Sequence, residues 1–320
     1  MNKIVICIML SIASCIKFDF VSEDEDANGI YLELTASYQL EGNEIIYEDG
    51  ILFVLDHDYY NASNIFNCYI SGDSIAILAT YGANYTIHDF FVDDPYVYLA
   101  SEQGFEIIKF TSTEAVVYSS LNIPPASIIA LSDDRTYVAC NSALYIINIT
   151  NPRAPEIEAI MDFPFTINSL AVDTVYAFVQ TDYYTLNVVN VQNPSDPVLT
   201  ATLVFPAFGP YNLHVKHGCL YAFNKYDDFI LIYTIESDGL NRNYSSLSLP
   251  NVYYAYIGEE YGFVLNSNEL LLVDMQYTPV LAICETMYLL ETPLSGVINE
   301  DTIYLLTSSK LFIAHIKTGL

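Results

Sequence analysis

The sequence predicts an all-β fold, a closed seven-bladed β-propeller of four-stranded antiparallel blades. Three observations carry the prediction. An apolar strand motif recurs seven times, a second apolar series runs ahead of it in every unit, and the chain opens with a spare strand while ending one strand short.

The first series comprises IFNCYI (65–70), FEIIKF (105–110), LYIINI (144–149), LNVVNV (186–191), ILIYTI (230–235), LLLVDM (270–275) and LFIAHI (311–316). The fifth residues are Tyr69, Lys109, Asn148, Asn190, Thr234, Asp274 and His315, so the steps are 40, 39, 42, 44, 40 and 41 residues. The second series is LFVLD from Leu52, VYLAS from Val97, TYVAC from Thr136, VYAFV from Val175, LYAFN from Leu220, GFVLN from Gly262 and IYLLT from Ile303. Each unit reads as four short strands. In the third, ASIIALS, TYVAC, ALYIINI and EIEAIMDF follow one another with turn residues between them. The strands are almost continuously apolar, as strands covered on both faces are. Four-stranded sheets repeated every 40–45 residues are the signature of a propeller. After the seventh copy only Lys317 to Leu320 remain, too few for a fourth strand. The segment IYLELTASYQL (30–40), which precedes the first unit's EIIYE, is predicted to complete the last blade and remove an exposed edge.

Ahead of the repeats, residues 1–14 (MNKIVICIMLSIAS) join a basic start, an apolar stretch and a small-residue end. That is the plan of a secretory signal, too short to span a bilayer. Ile12-Ala13-Ser14-Cys15 resembles the lipobox of bacterial lipoproteins, which implies that Cys15 becomes the first residue and carries the lipid. More than one acyl chain there would anchor the protein stably. Residues 15–29 then read as an acidic tether and residues 30–320 as the propeller. The expected address is the cell envelope, on its periplasmic or surface side, with membrane contact through the lipid anchor only. The propeller is expected to be a monomer.

Composition narrows the partners. The chain is 52% apolar, with 39 acidic and 10 basic side chains and a net charge of −29, yet it holds 28 Tyr and 17 Phe. Loss of residues 1–14 removes Lys3 and no acid, so the mature charge is 9 minus 39, or −30. Disordered acidic proteins lack such an aromatic and aliphatic complement. Surplus acid argues against nucleic acid, whose phosphates require Lys and Arg, and against anionic lipid surfaces. Cys68, Cys140, Cys219 and Cys284 fall in different units without a CxxC spacing, which predicts free thiols, with neither a disulfide framework nor a metal knuckle.

LYIINITNPRAP and LNVVNVQNPSDP resemble the LVIVD repeat, a propeller repeat of bacterial and archaeal exported proteins, and LLLVDMQYTP is close to it. The other four units keep the strand and lose the paired prolines, and Asp274 alone retains the family's Asp. The resemblance implies architecture and an extracytoplasmic address, and no particular activity. The absence of Trp separates these repeats from WD-type and quinone-cofactor repeats, which resemble each other through Trp-bearing motifs.

Three features compete for function. Turns between the first and second strands carry Glu48-Asp49, Asp93-Asp94, Asp133-Asp134, Asp173, Glu259-Glu260 and Glu300-Asp301, with His217-Gly218 the exception. They predict a negative rim at one mouth of the channel, although Asp and Gly also suit tight hairpins. The opposite face collects Asp56, His57, Asp58, Tyr59 and Tyr60, then Asp182, Tyr183 and Tyr184, then Tyr226, Asp227 and Asp228, with Phe208 in a link between blades. Aromatics beside carboxylates can stack on sugars or grip peptide side chains, so this is the expected face for a protein or glycan. Asp24, Asp26, Asn28 and Gly29 match the start of a calcium loop, but Thr35 stands where the bidentate Glu belongs, and a tether accounts for the same residues. No cofactor is expected, with calcium as the one alternative. His214 and His217, three apart, make a poor metal pair. No nucleophile elbow, zinc helix or phosphate loop is present. The leading expectation is a non-enzymatic binding or scaffold module. The alternatives are a hydrolase or lyase using carboxylates such as Asp56, Asp58, Asp182, Asp227 and Asp228, and a structural propeller with a channel cation.

Overall fold

The computed structural model describes residues 30–318, apart from 58–61, 72–73, 207–208, 225–227, 237–238, 250–251, 267–268, 277–280 and 290. The described residues form seven four-stranded antiparallel sheets. Blade 1 runs Glu44–Glu48, Ile51–His57, Ser63–Ser71 and Ser74–Ala83, and blade 2 runs Ile87–Asp93, Tyr96–Ser101, Gly104–Phe110 and Ala115–Leu121. Blade 3 is Ile128–Ser132, Arg135–Cys140, Ala143–Asn148 and Glu156–Asp162, and blade 4 is Ile167–Val172, Tyr176–Thr181, Thr185–Asn190 and Val198–Val204. Blade 5 is Asn212–Lys216, Cys219–Phe223, Phe229–Glu236 and Gly239–Ser248, and blade 6 is Tyr254–Tyr256, Tyr261–Leu265, Glu269–Asp274 and Ala282–Tyr288. Blade 7 takes Ser295–Asn299, Thr302–Leu306 and Lys310–Thr318 from the C-terminus and its outer strand, Ile30–Gln39, from the start of the described chain. The predicted closure is therefore present, with Leu32 opposite Ile316 and Tyr38 opposite Leu311.

Burial grades across each blade in a way a uniform apolar reading did not separate. Second strands are mostly buried, and Tyr176–Thr181 and Cys219–Phe223 are so along their whole length. Outer strands expose aliphatics, including Ile160, Leu199 and Val204. First strands of neighbouring blades meet around the axis. Between blades the side chains interlock, with one apolar cluster at each of the seven junctions. The cluster joining blade 7 to blade 1, Leu40, Ile45, Leu52, Val54, Val297, Leu306 and Leu311, seals the ring. Fully covered rings such as Phe53, Phe105, Phe178 and Phe263 each contribute about 2–3 kcal/mol of transfer free energy.

The TNPRAP turn of blade 3 has a specific task. Arg153 lies 5.2 Å above the ring of Tyr118 in blade 2, and Ser119 Oγ donates to the Pro152 carbonyl at 2.5 Å. The turn thus clasps the preceding blade, while Asn148 and Asn151 cap it from within. Cys68, Cys140, Cys219 and Cys284 are free thiols, and burial pushes Cys68 up to about 11 and Cys140 to about 12. Such thiols are poor nucleophiles.

One buried hydroxyl is unmatched. Tyr221 is fully covered, and its hydroxyl meets no partner among the described residues. An orphaned buried hydroxyl costs about 1–3 kcal/mol. Tyr221→Phe is expected to raise the stability by about 1 kcal/mol, read as a higher urea midpoint at unchanged slope. A lower midpoint would refute the assignment.

Candidate binding faces

The two rims have different chemistry, and each follows from local backbone demands. On the first rim the hairpins turn sharply. Asp49 and Gly50 have φ of +46° and +85°, and His217 and Gly218 have +51° and +68°. Left-handed positions favour Gly and short polar side chains, which accounts for part of the repeated acid. The charges nevertheless meet across blades. Partial burial, then Asp49, Asp93 and Asp94, push the Glu48 carboxyl up, and Asp94 rises through burial, Asp49 and Asp93. Blade 5, which lacks the acidic turn, supplies Lys216, ion-paired with Glu259 of blade 6, and His217, 3.0 Å from the Gly258 carbonyl. A cavity of about 750 Å³ lies there, walled by Glu259, Glu260, Glu300 and Asp301 with Lys216 at its side.

On the opposite rim, the expected face assembles around blade 4. The Asp182 N–H donates to the Thr166 carbonyl at 3.3 Å, and Gly209 N–H to the Tyr183 carbonyl at 3.2 Å. The second-to-third-strand turn and both flanking links are thereby tied together. Asp182 itself, at φ +52°, spends its carboxylate on the N–H groups of Tyr184 and Thr185 and on the Thr185 hydroxyl, at 2.7, 2.9 and 3.0 Å. Its carboxyl sits below the ordinary range because of those bonds, which outweigh its burial. It is a turn cap that holds up Tyr183 and Tyr184, both 46% exposed, beside Phe165 at 55%.

The other predicted residues that are described, Asp56, His57 and Asp228, belong to blades 1 and 5. Asp56 closes the second strand of blade 1 opposite Asn64, and His57 follows it opposite Ser63. Asp228 sits in blade 5, where its carbonyl accepts the Leu249 N–H at 2.8 Å. Asp58, Tyr59, Tyr60, Phe208, Tyr226 and Asp227 lie outside the described residues, as do Cys15, Asp24, Asp26 and Asn28. His214 and His217 are separated as expected, although His217 stands in the turn and not on the strand. His214 stacks on Phe223 with ring centroids 5.7 Å apart, and burial lowers it to about 4. Among the described residues no group of three or more His, Cys, Asp or Glu is arranged to hold a metal.

Two features went unrecognised in the sequence. The first is a polar cavity of about 510 Å³ on this second rim, walled by Asn84, Tyr85, Gln103, Glu106, Ser120 and Asn122. Glu106 is 8% exposed, and its Oε2 accepts the Tyr85 hydroxyl at 2.5 Å and the Ser101 hydroxyl at 3.3 Å. Tyr85 also meets the Tyr81 hydroxyl at 2.8 Å. Burial first, and the Glu106 bond second, push the Tyr85 phenol up and keep it a donor. The signal was a lone Glu at the second place of an apolar motif, where the other copies have Phe66, Tyr145, Asn187, Leu231, Leu271 and Phe312.

The second feature lines the axis. Glu44 and Asp89 occupy the same register position in blades 1 and 2, opposite Leu55 and Ala100. Asp89 accepts the Phe90 N–H at 2.9 Å and the Ile129 N–H of blade 3 at 2.8 Å. At the equivalent position Ser295 accepts the Ile45 N–H at 3.3 Å, and Tyr254 donates to the Gly296 carbonyl at 2.8 Å. In blades 2, 6 and 7 this position stitches the inner strand to the next blade.

The comparisons with known proteins support the fold. No protein-family model matches the chain, and no curated protein matches it in sequence. Among solved structures it is similar to the WD40 domain of Toxoplasma gondii coronin, at 10% identity over 92% of this chain and 87% of that one, with a TM-score of 0.71. A Lactobacillus plantarum protein matches at 13% identity over 83% and 88%, with a TM-score of 0.66. The Neurospora crassa Pan2 WD40 domain matches at 8% identity over 91% and 96%, also at 0.66. At such identity the likeness is one of architecture: a Trp-free repeat has reached the same ring.

Proposed function

We propose that this chain is a non-enzymatic binding module, exported and lipid-anchored through Cys15, that presents its aromatic rim to a protein or glycan at the cell envelope. The observation that carries the proposal is the exposed set Phe165, Tyr183 and Tyr184, fixed by the Asp182 cap and by backbone bonds to both neighbouring links. Rigid aromatics lose little entropy on binding and supply large contact area. The lipobox-like Ile12 to Cys15 stretch and the LVIVD-like repeats support the address. The hydrolase or lyase alternative is weaker, because Asp56, Asp182 and Asp228 stand on three different blades and Asp182 is committed to its turn.

Cross-linking on intact cells tests the module. The paired substitution Tyr183→Ala and Tyr184→Ala should remove most of the cross-linked product, by about tenfold or more for a central aromatic pair, while the melting temperature stays near that of the parent. Unchanged cross-linking would exclude this rim. Cys15→Ser should release the protein from the membrane fraction, and its retention there would refute the anchor.

A further inference from the structure

We propose that the cavity beside Glu106 is a saccharide-binding subsite, in which the carboxylate and the surrounding amides take the hydroxyls of a sugar ring. This rests on the reading of the second rim as the binding rim, and it places a ligand on blade 2, away from the aromatics of blade 4.

The chemistry of the walls selects the ligand class. A sugar hydroxyl both donates and accepts, and so do the side-chain amides of Asn84, Gln103 and Asn122 and the hydroxyl of Ser120. Glu106 uses Oε2 for the Tyr85 and Ser101 hydroxyls, and its Oε1 takes no hydrogen bond from any described residue. A carboxylate oxygen on a cavity wall is a strong acceptor for a ligand O–H. One carboxylate among neutral amides supplies little of the negative charge by which calcium sites gain affinity. Walls this polar suit neither a lipid nor an aromatic ligand. The volume of about 510 Å³ lies within the usual range for small-molecule sites.

The site is also built before any ligand arrives. The Glu102 N–H donates to the Thr86 carbonyl at 3.1 Å, and the Thr86 N–H to Glu102 Oε2 at 3.4 Å, which laces one wall to the other. Gln103 N–H is held by Ser101 Oγ at 3.1 Å, and Ile87 N–H by Ser63 Oγ of blade 1 at 3.0 Å. Such preorganisation lowers the entropy cost of fixing a ligand.

Saturation-transfer NMR of the full chain with free glucose, galactose and N-acetylglucosamine tests the proposal. At least one sugar should show transfer, with a dissociation constant on the order of 1 mM. Asn122→Ala and Gln103→Ala should each weaken it about fivefold to tenfold. Glu106→Gln, which keeps an acceptor for Tyr85, should weaken binding without loss of fold, as judged by circular dichroism. Absence of transfer from every sugar would overturn the proposal. So would binding indifferent to Asn122 and Gln103, or displacement of the sugar by a lysine-rich peptide, which would mark a cation-selective cleft. If the sugars fail while cross-linking still depends on Tyr183 and Tyr184, the binding-module reading stands and only the subsite falls.

Discussion

Removal of residues 1–40 is expected to abolish cooperative folding, although among the described strands it takes away only the outermost one of one blade. Ile30–Gln39 pairs along Lys310–Thr318 from Ile30 opposite Thr318 to Gln39 opposite Lys310. Without it the last strand of the chain offers a row of unpaired N–H and C=O groups, which templates association with other chains. Leu32 leaves a cluster that contains Phe263, Leu272, Ile303 and Ile316, and Leu40 leaves the seal between blades 7 and 1. Together these losses should exceed about 5 kcal/mol, comparable with the whole stability of many domains. The truncated chain should therefore aggregate or melt without a sharp transition, and a synthetic peptide of residues 29–41 added in trans should restore the transition. Leu32→Ala gives a graded version, with an expected cost of about 2–4 kcal/mol from lost burial and the residual cavity. If the truncated chain melts cooperatively at the parent's temperature, the strand does not close the ring energetically.

That closure was legible because repetition leaves an arithmetic trace. Seven copies of two apolar series and a strand missing at one end, matched by a strand spare at the other, admit few arrangements that hide every edge. The sites were far less legible, for physical reasons visible in single residues. Asp182 looked like a recognition carboxylate beside two tyrosines, but a left-handed turn residue finds its partners in the backbone N–H groups two and three residues on. The acidic hairpins were legible as a set, yet the pairing of Lys216 with Glu259 joins two units and depends on how blades stack. Glu106 and Glu44 were missed for the opposite reason. Glu106 is the one acid of its strand and Glu44 opens a strand read by its apolar middle, and only the structure shows Glu106 at a cavity and Glu44 beside Asp89. Deviations from the repeat, not the repeat, mark the places where chemistry is held.

The axial pair should make the protein less stable as the pH rises, and Glu44→Gln should remove much of that dependence. Burial, followed by the charge of Asp89, pushes the Glu44 carboxyl well up. Burial likewise raises Asp89 to about 7, against the lowering effect of its bonds from Ile129 and Phe90. Both groups thus hold protons more tightly in the folded chain than in the unfolded one. Their favourable contribution is complete below the unfolded values of about 4 and is lost as the pH climbs through the raised folded values, about 7 for Asp89. Glu44 accepts no hydrogen bond from a described residue, so glutamine replaces it without orphaning a donor, whereas Asp89→Asn would forfeit one of two backbone bonds. At pH 8 the Glu44→Gln chain should be more stable than the parent by about 1 kcal/mol, since one of two neighbouring half-buried charges is gone. Near pH 4.5 the difference should shrink to about 0.5 kcal/mol or less, because the parent's pair is then largely protonated. The general acidity of the chain also favours lower pH, but it is common to both proteins and cancels in the difference. Melting temperatures of the two across pH 4.5–8 decide the matter, with a variant less stable at pH 8 sinking the assignment. A parent stabilised by calcium at pH 8, with the effect absent from the variant, would instead make the pair the seat of a channel cation.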